Sequence, residues 1–303
     1  MAAMIYGRNK ALDTNPPAGD SHLTRGGSDW LWAVTAVFTL SFIAYFVLSL
    51  KPRHGERIFH YLFTIGLLVG AIAYFAMASD LAWSVVATSL HRGDAASYQI
   101  FFAKYVNWVV AFPVVIIALG LVSGVSWATI FFNIALAWTW ILTYLFSAYT
   151  ATSYKWGFYA FGTVAWLLLA MQTLRTGLAS AARVDLRRDY LMMAGWANFL
   201  WFLYPIAFAV SDGGNVISVT RSLIFFGILD VLLLPGLAFV FLFLSRKWDY
   251  GHLNLHFTQY GRVSGHNGVF PEKRAVGTNA PVTSTGARTG VPATAGQQGV
   301  VTA

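Results

Sequence analysis

Cysteine is absent from the 303-residue chain. That excludes disulfides, thiolate metal sites, a cysteine nucleophile and S-palmitoylation together. No Asn-x-Ser/Thr sequon occurs, so N-glycosylation is not expected. Charge is scarce: 11% of residues are Asp, Glu, Lys or Arg, against about 25% in soluble domains. What fills the chain instead is apolar, 57% hydrophobic with 17% aromatics. That composition suits helices that pack and anchor in a bilayer. The formal charge is +8. The basic residues sit in loops and tail, where anionic lipid and the positive-inside rule account for them, and no nucleic-acid partner is expected.

Residues 1–28 are polar, with Pro16, Pro17 and several glycines, and read as a flexible N-terminal tail. They are not a signal peptide, because the first apolar run begins at Trp30 and is long enough to span. Seven apolar stretches follow: Trp30–Leu50, Ile58 to about Asp80, Gln99–Leu121, Ser126–Tyr149, Tyr154–Leu174, Leu191–Val210 and Val216–Leu244. Each has about 20 residues or more, enough for a hydrocarbon core of roughly 30 Å at 1.5 Å per residue. The expected fold is therefore an all-α, seven-transmembrane-helix bundle over residues 29–247. Lys51, Arg53, Arg57, Arg175, Arg183, Arg187, Arg188, Arg246 and Lys247 fall on one side, with Arg25, Arg92, Lys155 and Arg221 on the other. That bias predicts an N-terminus outside and a C-terminus in the cytosol. Residues 248–303 lose the apolar pattern, and from Ala275 they are rich in Gly, Thr, Ala, Ser, Val and Pro. Such a segment buries too little to offset chain entropy and is expected to be a disordered, cytosolic, low-complexity tail.

Ionisable residues at membrane depth are functional candidates by default, because an unpaired buried charge is costly. Asp80, at the end of the second helix, is expected to face interfacial water. Lys104 lies about one turn into the third, where its stem allows snorkelling to the interface. Asp230 lies about fourteen residues into the seventh, roughly 21 Å along it. It needs a partner, a wet cavity or a proton. Lys104, Asn107 and Trp108 share one helical face. Trp201, Tyr204, Pro205 and Phe208 form a stripe on the sixth helix. Pro113, Pro205 and Pro235 are expected to kink their helices or free a carbonyl. The seven histidines fall in tails, loops and helix ends, where solvated roles are expected. No nucleophile–base pair, metal cluster or Gly-rich phosphate loop lies within the bundle, so neither enzymatic activity nor a metal site is expected.

Together these residues resemble the microbial rhodopsin family over about residues 29–247. Lys104-Tyr-Val-Asn-Trp108 followed by Ala111-Phe-Pro113 resembles the family's third-helix Arg-Tyr-x-Asp-Trp and Thr-Thr-Pro. Trp201-Phe-Leu-Tyr-Pro205 with Phe208 resembles the sixth-helix Trp-x-x-Tyr-Pro-x-x-Trp. Leu229-Asp230-Val-Leu-Leu-Leu234 resembles the seventh-helix Asp-x-x-x-Lys. Ala71–Asp80 and Tyr154–Gly162 are fungal in flavour. The resemblance implies a vestigial retinal pocket of Lys104, Asn107, Trp108, Ala111, Trp201, Tyr204, Phe208, Asp230 and Leu234. It also implies how the chain departs from the family. Leu234 stands where the retinal lysine is, Asn107 at the proton-acceptor carboxylate, Ala118 at the proton donor, Lys104 at the arginine and Ala111 at the threonine beside the chromophore. Asp230 is then the carboxylate left in the former site. A light-driven pump needs a lysine-linked chromophore and carboxylates that alternate as acceptor and donor.

The pattern is similar to fungal opsin-related proteins, including the yeast heat-shock opsin-like branch without the lysine. That implies a stress-linked plasma-membrane protein with no covalent retinal, acting on partners such as the plasma-membrane proton ATPase or on membrane lipid. A homo-oligomer stays open. Two other readings also stay open: a binder or carrier of an apolar retinoid or sterol-like ligand, and a passive ion path along Lys104, Asn107 and Asp230. An open cavity favours the binder and a filled interior favours the scaffold. Within the site, Lys104 is expected to be the charged partner of Asp230, with Tyr204 as the alternative.

Overall fold

The computed structural model describes residues 9–50, 57–88 and 96–248. The expected low-complexity tail, apart from Trp248, lies outside them. Among the described residues, seven helices are long and apolar enough to cross a membrane: α1 (Arg25–Ser49), α2 (Arg57–Ala78), α3 (Ala103–Ser123), α4 (Trp127–Tyr149), α5 (Lys155–Val184), α6 (Arg187–Gly213) and α7 (Val219–Ser245). Their starts are set by local chemistry. The side chains of Thr24, Ser126 and Ser218 cap α1, α4 and α7 by accepting from the backbone N–H groups of Gly27, Thr129 and Arg221. Gly124, at φ 68°, ends α3 in the left-handed region that lets the chain reverse into α4.

The helices do not hide their large apolar side chains from the surroundings. Leu40, Phe131, Phe161 and Phe243 are each more than 60% exposed, which is the surface a lipid solvent selects. α3 is the central helix, with 72% of its most apolar window buried, against 22% for α5. The interior is aromatic. Phe112 has ring centroids 5.2 Å from Trp140, 5.7 Å from Trp201 and 5.2 Å from Tyr204. Pro113 lacks an N–H, which frees the carbonyl of Val109, and the Trp138 indole from α4 donates to it at 3.0 Å. The other two helix prolines sit at or before π turns, Ala209–Gly213 after Pro205 and Leu232–Gly236 around Pro235.

Two elements on the face where α1 begins depart from expectation. Trp83–Ala87 (β1) pairs antiparallel with Ser97–Phe101 (β2), so Gln99 lies in a strand and α3 starts four residues later than expected. Residues 9–24, expected as a flexible tail, are docked on the bundle. Ser21 bridges Tyr98 in parallel. Asp20 accepts from the Ala96 N–H and the Ser97 hydroxyl, and these bonds hold its carboxyl below the usual range. Asn15 donates to the Ser79 carbonyl at 2.8 Å, and Asn9 donates to Ser28, which donates to the Ala78 carbonyl.

Candidate functional site

Asp230 lies in the middle of α7 and is 2% exposed. Its two oxygens accept four hydrogen bonds. Tyr204 of α6 donates at 2.5 Å and the Trp108 indole of α3 at 2.9 Å, both to Oδ1. Tyr74 of α2 donates at 2.6 Å and Asn107 of α3 at 3.2 Å, both to Oδ2. A carboxylate offers about four acceptor sites, so this one is saturated by neutral donors from three neighbouring helices. Of the residues singled out in the sequence, Asn107, Trp108, Tyr204 and Asp230 are thus brought into direct contact. Tyr74, which sits in the second-helix stretch resembling the fungal proteins, is a member the sequence reading did not assign.

The expected Lys104–Asp230 pair is not formed. Lys104 is instead held by Asp212, with Nζ 2.5 Å from its Oδ2 and side chains 2% and 1% exposed. Tyr105 donates to the same oxygen at 2.6 Å, and the Phe226 ring lies under the ammonium at 4.8 Å. Asn107 and Trp108, one turn further along α3, occupy the Asp230 oxygens, and Asp212 meets the Lys104 ammonium on the side toward the start of α3. The π turn Ala209–Gly213 keeps α6 coiled to its end and carries Asp212 over the bundle at the level of Lys104. Lys104 therefore does not snorkel outward, and Asp230 is not the lone carboxylate of the site. Lys155, read as a loop cation, is also buried at 2% exposure.

Leu234 is 1% exposed and fills space beside α2 and α3: a Cβ built on Gly66 would meet it at 3.1 Å and Val114 at 3.4 Å. Ala111 and Ala118 are buried on α3. Trp201 is fully buried and touches Phe112, and its indole nitrogen has no hydrogen-bond partner among the described residues. Phe208 belongs to a neighbouring aromatic group, with its ring 4.4 Å from Tyr144 and 5.9 Å from Tyr159.

Asp80 does not face water. It is 2% exposed, its Oδ1 accepts from Gln99 at 2.7 Å, and its Oδ2 has no partner among the described residues. Burial pushes its carboxyl above the usual range. Among the histidines, His60 is buried beside the Tyr45 ring.

Seven membrane helices around a carboxylate on the last of them, held by aromatic donors from three others, define an opsin-type integral membrane protein. The chain belongs to the bacteriorhodopsin-like family, whose profile matches residues 26–247. It is 39% identical to Protein FDD123 of Trametes versicolor over 283 residues, 92% of this chain and 98% of that protein. The 30 kDa heat shock protein of Saccharomyces cerevisiae is 30% identical over 249 residues, 74% of each. The solved structure of a light-driven proton pump, LR (Mac) from Leptosphaeria maculans, superposes with a TM-score of 0.69 at 27% identity, covering 77% of this chain and 99% of that one.

Proposed function

We propose that this protein is a non-photoactive opsin-related membrane protein that binds no covalent retinal and pumps no protons. The observation that carries the reading is the absence of an amine on α7. From Val219 to Ser245 there is no lysine, and the residue one turn beyond Asp230 is Leu234, buried against α2 and α3. Covalent retinal does not fit these residues. The saturated Asp230 supports the same reading, because its acceptor sites are taken by four neutral groups and none is left facing a cation. The packed rings of Phe112, Trp140, Trp201 and Tyr204 favour a filled scaffold over a ligand carrier. Buried Ala111, Ala118 and Leu234 place apolar groups where a polar file for ions would run.

In this reading the protein is not an enzyme. It acts in the plasma membrane through protein partners, such as the proton ATPase, or through lipid, with the N-terminus outside. Likeness to the 30 kDa heat shock protein supports a link to stress. Proteoliposomes given all-trans retinal test the pumping half: illumination is expected to leave internal pH unchanged, and a light-dependent change would contradict the reading. Affinity purification from the native membrane tests the partner half, with proton ATPase enriched over an unrelated membrane protein as the expected result. Absence of that enrichment removes this partner.

A further inference from the structure

At the face opposite the N-terminus, α6 begins where α7 ends, and a groove of about 640 Å³ opens between them. Its apolar wall is Met192 of α6 with Phe239, Val240, Phe243 and Leu244 of α7. The spacing puts the α7 residues on one helical face. Phe239, Val240 and Phe243 are 42–63% exposed. At its outer end the groove is flanked by two exposed cations, Arg188 and Lys247. The third charged residue there, Asp189, accepts the Trp248 indole N–H at 2.7 Å. One turn deeper than Met192, the Trp196 indole donates across to the Leu232 carbonyl of α7.

We propose that this groove is a binding site for an anionic glycerophospholipid. The phosphate sits between Arg188 and Lys247, and an acyl chain lies along Met192, Val240 and Phe243. The order of chemistry along the groove points to that ligand. Cations stand at one end of the groove and apolar side chains along the rest, which matches the amphipathic layout of a phospholipid. Basic pockets between membrane helices select anionic headgroups for this reason. A second groove, between α3 and α4, supplies the contrast. It has about 560 Å³ and is lined by Val106, Val109, Leu142 and Phe146 among others, with no charged residue. It offers a lipid tail a surface but a headgroup no selectivity. This inference deepens the lipid half of the proposed function and rests on it only for the membrane setting. The pigment and pumping assays fail or succeed separately.

The test uses the full chain in detergent, titrated with phosphatidylserine or phosphatidylcholine of identical acyl chains and read by native mass spectrometry. Phosphatidylserine is expected to bind more tightly. Arg188→Gln with Lys247→Gln should remove that preference, weakening phosphatidylserine roughly fivefold per charge and phosphatidylcholine, whose phosphate is balanced by its own choline, by less. Met192→Trp, which fills the groove, should weaken both. Arg57→Gln with Arg183→Gln removes the same charge elsewhere and is expected to change little. Equal binding of the two lipids overturns the proposal. So does an equal loss in the Arg57/Arg183 control, which would mean only diffuse attraction. Displacement of lipid by millimolar inorganic phosphate with no effect of Met192→Trp would mean a bare anion site, and a lipid-free dimer closed through the groove would mean a second copy is the occupant; either result overturns it. Unchanged thermal midpoints check folding, and the single exposed change Lys247→Gln carries the test if the double variant does not fold.

Discussion

Asp230 is a buried carboxyl group whose solvation shell is made of side chains. Replacing it separates the role of its shape from that of its charge. Asp230→Leu strands four donors, and each unsatisfied one costs about 1–3 kcal/mol. Even with the two tyrosine hydroxyls re-aimed, a loss above about 3 kcal/mol is expected in unfolding from micelles. Asp230→Asn keeps one acceptor, and its new amide faces Asn107, whose Oδ1 has no partner among the described residues. The expected cost is below about 1.5 kcal/mol. The buried pair lies elsewhere, which a double-mutant cycle reads directly. Lys104→Met and Asp212→Asn should each cost about 3–5 kcal/mol, with the double variant much milder than their sum. Lys104→Met with Asp230→Asn should instead be additive within about 0.5 kcal/mol. The partner of Lys104 was illegible in the sequence because Asp212 follows the last apolar residue of its stretch and reads as loop. Only the π turn at Ala209–Gly213 brings it back over the bundle.

At the scale of elements, the α1–α2 crossing holds the Asp230 shell in place. Gly70 lets α1 come so close that an added Cβ would lie 2.4 Å from the Phe38 ring. Phe38 in turn stacks on Tyr74 at 5.2 Å. Gly70→Ala should cost about 1–3 kcal/mol by overpacking, seen as a lower midpoint of thermal aggregation. The N-terminal segment has a pH signature. Asp20 is held below its ordinary value by Ser97 and Ala96, so its contribution is present above pH 3.8, the ordinary value, and fades as pH falls. Asp80 has the opposite sign, being raised by burial, so ionising it opposes folding. Hydrogen exchange corrected for intrinsic rates should show protection near residues 20–21 and 96–99 falling below about pH 4, with Asp20→Asn already weakened at neutral pH. The membrane helices were legible because length and apolarity settle them. The docking of residues 9–24 was not, because Asn9, Asn15 and Asp20 bond to groups as far away as Ser79 and Ala96, and composition carries no trace of such partners.

For the whole molecule, the short motifs around Trp108, Trp201, Tyr204 and Asp230 were enough to reach the family, because they mark where several helices meet. Phe112, the middle residue of the Ala111–Pro113 motif, and Trp140, which belongs to no motif, fill the interior between them, and their contact is seen only in three dimensions. The proposal that the N-terminus lies outside rests on the excess of basic residues on one side. Protease added to intact cells should spare a tag at the C-terminus, and its removal from outside would reverse the topology. The central claim is that the opsin bundle persists without its chromophore chemistry. The measurement that tests it most directly is the absorption spectrum of the purified chain after incubation with all-trans retinal. With Leu234 one turn beyond Asp230 and no lysine on α7, free retinal absorption and no red-shifted visible band are predicted. A visible band that hydroxylamine bleaches would contradict the account.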